Sequence, residues 1–200
     1  MSGSASSSAP PSRKQQILRE AALLFARHGF HGVSIVELGA AVGISGPALY
    51  RHFASKEALL ARLLVDISEH LLAGGTALAG QIDDPAELLA ALVDFQLDFS
   101  LREPELIIVQ DRDLANLPTP DRRTVRTLQR AYVEIWVDAL RRLHSGLPAD
   151  AARVAAHGAF GLLNSTPHST PRAAPERVAE LLRRMALAAL TDPDLAARRT

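Results

Sequence analysis

Residues 34–56 read Ser34-Ile-Val-Glu37-Leu-Gly-Ala-Ala-Val-Gly43-Ile-Ser45-Gly-Pro47-Ala-Leu-Tyr-Arg-His-Phe53-Ala-Ser55-Lys56. Ser34 and Glu37 have the spacing of a capping box, in which the serine hydroxyl accepts from the backbone and the glutamate reaches back. The helix predicted from there turns Ile35, Leu38 and Val42 inward. Gly43 stops it, as glycine does just past a helix end. Only Ile44 separates that stop from a second cap at Ser45. Pro47 falls near the new helix start, where its missing N–H costs nothing. The second helix is predicted from Gly46 to about Phe53. Two short helices joined by a tight glycine turn describe a helix-turn-helix, whose second helix normally enters the major groove of DNA.

Leu49 and Phe53 are four apart and face the predicted core, which leaves Pro47, Ala48, Tyr50, Arg51 and His52 outward. Gly46 and Ala48 are small enough for the backbone to approach bases closely. Arg51 is the one long hydrogen-bonding side chain on that outer face, and its fork matches O6 and N7 of guanine. Lys56 sits at the next helix start, where backbone amides and an ammonium together suit a phosphate. Each residue also has a plainer reading. Tyr50 could pack, His52 could cap a helix C-terminus, Lys56 could be a solvated charge, and Arg51 could hold only a phosphate. Their order and spacing together favour DNA.

Working outward, Ile17, Leu18, Ala21, Leu24 and Phe25 form one apolar stripe of a helix that Ser12 caps and Gly29 ends. Ser55 begins a long helix carrying Leu59, Leu60, Leu63, Leu64 and Ile67 inward, predicted to break at Gly74-Gly75. Pro85 opens a helix to about Leu101. A shorter apolar piece, Leu106–Val109, follows Pro104, and Asp111 and Asp113 fall in a loop-like stretch. Residues 116–120 read as a loop, Asp121–Leu143 as a long helix, and Pro148 precedes a helix to about Leu163. Residues 164–174 read as a loop, and Pro175 opens the last helix. No alternating strand pattern and no fixed repeat occurs. The expected class is all-α with about nine helices. Residues 1–12 are too small and polar to pack and read as a flexible tail. The expected division is this tail, a helix-turn-helix domain at 13–58, and a ligand-binding and dimerisation domain at 59–200.

Composition narrows the function. Hydrophobic residues make up 48% of the 200, which excludes wholesale disorder. Lys+Arg and Asp+Glu are both 22, so a uniformly basic coat for nucleic acid is disfavoured. Residues 1–60 nevertheless carry a net charge of +3 and residues 61–200 a net −3, which points the N-terminal part at an anion. The absence of cysteine excludes disulfides, thiolate zinc sites and cysteine nucleophiles. No apolar run exceeds six residues, as in Ala21–Ala26 and Met185–Leu190, far short of the ~20 that cross a bilayer. A cytoplasmic protein without a membrane partner is expected. No Gly-x-Ser-x-Gly or phosphate-cradling lysine loop occurs. His28 and His31 flank Gly29 with no carboxylate placed for zinc. No catalytic residue, metal or cofactor is expected, and no enzyme.

Residues 13–64, and above all Leu49-Tyr-Arg-His-Phe-Ala-Ser-Lys56, resemble the DNA-binding domain of the tetracycline-repressor (TetR) family. The resemblance implies an all-helical homodimer in a nine-helix layout. It implies a repressor that holds a palindromic DNA operator and is released by a small-molecule effector in the C-terminal domain. Ser34, Tyr50, His52 and Lys56 match positions that bond or border phosphates, and Pro47, Ala48, Tyr50 and Arg51 match positions near base edges. Ser45 and Gly46, at the reading-helix start, complete the candidate DNA-binding set. Val36 departs from the family's founding member, which has a base-reading arginine there, so the operator does not carry over.

The same resemblance places a cavity among the central helices, with Leu92, Gln96, Phe99, Ile107, Tyr132, Trp136, Phe160 and Asn164 as candidate lining. Gln96, Tyr132 and Asn164 stand out because a polar group on an apolar face needs a partner. The apolar candidates serve equally well as plain core. Val109-Gln-Asp-Arg-Asp113, Tyr132-Val-Glu-Ile-Trp136 and the segment from Phe160 through Asn164 are similar to a branch of the family near acyl-CoA and fatty-acid catabolism. That implies an acyl-CoA or other apolar metabolite as effector. Small residues from Ala151 to Gly161, with Val178, Leu181, Leu182 and Met185, fit a four-helix dimer interface. Two alternatives compete. A non-specific DNA-binding protein is disfavoured by the neutral charge. A helical small-molecule binder or enzyme with a vestigial reading head is disfavoured by the intact motif.

Overall fold

Serine caps, prolines and glycines set most helix boundaries in the computed structural model, which describes residues 12–168 and 174–196. Nine α-helices and no strand occur among the described residues. They are α1 (Arg13–Gly32), α2 (Ile35–Ala41), α3 (Gly46–Leu49), α4 (Lys56–Ala79), α5 (Pro85–Arg102), α6 (Pro104–Asp113), α7 (Thr119–Leu143), α8 (Ala149–Leu163) and α9 (Pro175–Leu190). Single 3-10 turns follow α6, α8 and α9. The predicted tail lies outside the described residues except for Ser12, whose hydroxyl and backbone complete a capping box with Gln15. Part of the predicted loop at 164–174 also lies outside them.

Several boundaries differ from the sequence expectation. Gly29 breaks α1, with φ +77°, but one further turn follows before Val33. The α-helical part of the reading helix is a single turn. Hydrogen bonds from Arg51 N to Ala48 O (3.2 Å) and from His52 N to Leu49 O (2.9 Å) keep the chain coiled beyond it. The long helix α4 does not break at Gly74-Gly75. A Cβ on Gly74 would overlap the Phe95 ring, so glycine there admits a neighbouring ring and does not end the helix. Asp111 and Asp113 stand on α6, which is a full helix. α7 begins two residues earlier than expected, at Thr119, with Pro120 in its first turn.

One continuous core joins the two ends of the chain. Ile17, Phe25, Leu38, Leu49 and Leu59 close the N-terminal part, and α4 carries the core onward through Leu64 and Ile67. There α4 packs on α5 and α7, α7 on α8, and α9 on α5 and α8. α6 crosses back to pack on α1. No helix of the described residues is long and apolar enough to cross a membrane.

Candidate nucleic-acid interface and effector cavity

The reading head is built by its caps. Ser34 Oγ accepts from Glu37 N at 3.2 Å and Glu37 Oε2 accepts from Ser34 N at 2.7 Å. These bonds to Ser34 hold the Glu37 carboxyl below its ordinary range. A Cβ on Gly39 would lie 2.7 Å from the Ile44 carbonyl oxygen, so only glycine lets the chain double back this tightly. Ser45 Oγ accepts from Ala48 N at 3.3 Å and starts α3. Leu49 and Phe53 are buried, as their spacing predicted. Pro47, Tyr50 and Arg51 are exposed, while Ala48 and His52 are half-buried beside them. Tyr50 is 52% exposed. Gly46 is buried against Ile35 and Val36 of α2, so its smallness serves helix contact as well as any approach to DNA. Val36 is 70% exposed on the same side.

Lys56 is more than a surface charge. Its Nζ donates to the carbonyl oxygens of Phe30 and Val33, each at 2.9 Å, and lies 4.5 Å from the centre of the Phe30 ring. It therefore ties the end of α1 to the start of α4. The ammonium has a third N–H beyond these two bonds.

Farther along the chain, a cavity of about 330 Å³ opens between α4, α5, α6, α7 and α8. Gln96, Tyr132, Phe160 and Asn164, four of the eight residues singled out from sequence, line it. Tyr132 donates its hydroxyl to Gln96 Oε1 at 3.2 Å, and Gln96 Nε2 donates to Asn164 Oδ1 at 2.9 Å. The Ser100 hydroxyl bonds the same Asn164 oxygen at 3.1 Å. Burial pushes the Tyr132 hydroxyl well above its ordinary range, so it stays a neutral donor. Leu92, Ile107 and Trp136 are core: Trp136 is fully buried, its ring centroid 4.8 Å from that of Phe160 and tilted 58° to it. Phe99 instead lines a separate cleft beside His70 and Leu106. The sequence did not single out Ser68, Leu71, Gln110, Asp111, Leu114, Gln129, Val133 or His157, which complete the wall.

α6 touches both sites. Gln110, Asp111 and, just past the helix end, Leu114 face the cavity. Arg112, beside Asp111, donates to the Phe25 and Ala26 carbonyls just before the Gly29 kink of α1 and pairs with Asp113 at 3.0 Å. Asp113 in turn accepts from Phe30 N at 3.5 Å, and His31 meets Asn116 at 2.9 Å.

Two family models match this chain. Residues 17–63 match the bacterial regulatory proteins of the tetR family, and residues 82–190 match the tetracyclin repressor-like C-terminal domain. The chain belongs to the tetR family. Its relatives include transcription regulators. It is 30% identical over 139 residues to the HTH-type transcriptional repressor KstR2 of Mycolicibacterium smegmatis, covering 67% of this chain and 66% of that one. It is 28% identical to the HTH-type transcriptional activator FasR of the same organism, covering 73% of this chain and 66% of that one. The match thus spans just under two thirds of either relative. Among solved structures, a TetR-family regulator from Bordetella parapertussis superposes with a TM-score of 0.81 at 24% identity, covering 96% of this chain and all of that one. AibR, solved with isovaleryl coenzyme A and operator DNA, superposes with a TM-score of 0.74 at 24% identity, over 87% of this chain and 97% of that one.

Proposed function

We propose that this tetR-family chain is a ligand-responsive, DNA-binding transcriptional repressor that acts as a homodimer on a palindromic operator in the cytoplasm. Residues 13–58 form the reading head, and residues 59–200 the effector and dimerisation part. Arg51 reads a base, Pro47 and Ala48 border bases, and Ser34, Ser45, Tyr50, His52 and Lys56 bond or border phosphates. The effector occupies the cavity at Gln96, Tyr132, Phe160 and Asn164. It is an acyl-CoA or another metabolite with an apolar part, since the wall mixes aromatic and aliphatic faces with amides. The protein carries out no chemistry on it.

The observation that supports this reading is the position of α6. One short helix presents Gln110 and Asp111 to the cavity, with Leu114 in the turn just past its end, and presents Arg112 and Asp113 to α1. An effector that displaces the first group moves the second, and with it the tilt of the reading head. A ligand shifts the equilibrium only by its differential affinity for the two arrangements. Selection of bound fragments from random DNA, followed by a band-shift on the winning site and on scrambled DNA, tests the reading. A specific, two-fold symmetric site is expected. Equal affinity for both DNAs would leave a non-specific binder.

A further inference from the structure

Tyr132, Gln96 and Asn164 form a chain of hydrogen bonds along the cavity wall, and each bond sets the sense of the next. The Tyr132 phenol is neutral and has one hydrogen to give. Trp136, edge-on to the Tyr132 ring, can only donate and offers that hydrogen no acceptor. Gln96 Oε1, at 3.2 Å, accepts it. The Gln96 oxygen therefore faces Tyr132, and its amide nitrogen faces Asn164, to which it donates at 2.9 Å. Asn164 in turn presents its oxygen to Gln96. The Ser100 hydroxyl lies against that same oxygen at 3.1 Å and also reaches the Gln96 carbonyl at 2.8 Å. Both bonds to the Asn164 side chain thus fall on Oδ1, and among the described residues Nδ2 donates to nothing. Asn164 is half-buried at the cavity wall, whose apolar faces come from Leu71, Val133 and Phe160.

We infer that Asn164 determines effector specificity by donating its amide N–H to a neutral carbonyl oxygen set in an apolar body, as in a ketone, ester or thioester. This inference rests on the cavity being the effector site. The chain uses its side-chain acceptors internally, Gln96 Oε1 on Tyr132 and Asn164 Oδ1 on Gln96. A ligand group that can only donate, such as an ammonium, finds no acceptor in it. No member of the chain is charged, so a carboxylate would lose its water there without gaining a counter-ion from the chain. A carbonyl oxygen gives up less hydration and completes the unpaired amide. Gln96, itself buried, acts as a positioning residue: its two bonds hold Asn164 in the donating sense.

Titration calorimetry of the full-length protein tests this with three ligands: hexanoyl-pantetheine, its thioether analogue hexyl-pantetheine, in which a methylene replaces the carbonyl, and hexanoate. The thioester is expected to bind at least about tenfold tighter than the thioether, which leaves the amide unpaired. Asn164→Asp keeps the oxygen that Gln96 and Ser100 use and replaces the amide donor with a second carboxylate oxygen. It should remove that preference while leaving the thioether affinity near wild type. If a melting curve shows Asn164→Asp unfolded, Asn164→Ala takes its place with the same expectation. Equal binding of thioester and thioether by the wild type, or a preference that survives the substitution, overturns Asn164 as the reader but not the cavity as the effector site. Tighter binding of hexanoate than of the thioester overturns the neutral-carbonyl class. Failure of both pantetheine ligands to bind overturns the inference together with an acyl effector.

Discussion

Tyr132 lies edge-on against the bare backbone of Gly75: a Cβ at Gly75 would stand 2.7 Å from Cε2 and 2.9 Å from Cδ2 of that ring. The contact brings α4 and α7 close together and fixes the ring whose hydroxyl starts the chain to Gln96 and Asn164. Gly75→Ala should therefore act on both stability and ligand. Alanine favours helix by up to about 1 kcal/mol over glycine. Overpacking costs about 1–3 kcal/mol, and Ile135 Cδ1 at 3.3 Å blocks one direction of relief. A net loss of stability is expected in urea unfolding, with weaker effector binding than an exposed control such as Gly80→Ala, whose Cβ would come no nearer than 3.5 Å to another atom. Unchanged values for both would show that the ring yields freely.

The tie from α6 to α1 predicts a different phenotype. Arg112 holds the Phe25 and Ala26 carbonyls of α1, just before its Gly29 kink, and does not line the cavity. Arg112→Ala should leave effector affinity near wild type and operator affinity within about tenfold, while reducing the effector's power to release DNA. Coupling energies of this kind typically run to about 1–3 kcal/mol. The test compares operator affinity with and without saturating effector. A release factor equal to wild type would place the coupling elsewhere.

The reading head was legible because its signals are local. Ser12, Ser34, Ser45 and Ser55 each cap the helix that follows, within a few residues of sequence. Gln96, Tyr132 and Asn164 were legible for another reason: polar groups on apolar faces had to find one another. Gly74 and Gly75 misled, because helix-breaking propensity is local and the rings of Phe95 and Tyr132 that require glycine come from α5 and α7. The extent of α6 was hidden by its shortness, with too few apolar residues to show a period. Gln110 and Asp111 therefore could not be assigned to the cavity. Ser68 and His157 face it only because of how α4 and α8 pack, which no single segment encodes.

The exposed apolar surface of α8 and α9 is narrower than the sequence stripe implied. Leu182 is buried within its own chain, whereas Val154, Leu181 and Met185 are 73%, 55% and 47% exposed on α8 and α9. Val154→Glu or Leu181→Glu should yield a folded monomer with weak operator binding. Leu182→Glu should instead lower the melting temperature, since it buries a charge among apolar neighbours. Light scattering and circular dichroism separate the two outcomes. A stable dimer with both Val154→Glu and Leu181→Glu would move the interface off these helices.

Lys56→Met keeps the stem and removes the ammonium. The bonds to Phe30 and Val33 carbonyls are lost, and hydrogen bonds to charged groups contribute about 1.5–3 kcal/mol each. A lower melting temperature and a uniform loss of affinity across DNA sequences are expected. If the third N–H holds a phosphate, the slope of log affinity against log salt also falls by about 1 per half-site. An unchanged slope with a lower melting temperature would leave Lys56 as a tie within the head.

Arg51 supplies the most direct test of base reading. Leu49 and Phe53 are buried on one side of the coiled segment, and Arg51, midway between them, is exposed on the other. Tyr50 and Pro47 are exposed with it, but neither has a fork that matches guanine O6 and N7. Val36, exposed on α2, has no hydrogen-bonding group to share the task. Arg51→Ala should therefore cost about 1–3 kcal/mol on the specific operator and relax preference at one base pair per half-site. Its effect on random DNA should be small. A phosphate anchor behaves otherwise, weakening specific and random DNA alike. Anisotropy titrations of mutant and wild type on every single-base variant of the selected operator distinguish them. A uniform loss across that panel would remove Arg51 from the base readers and leave sequence preference to Pro47, Ala48 and Tyr50.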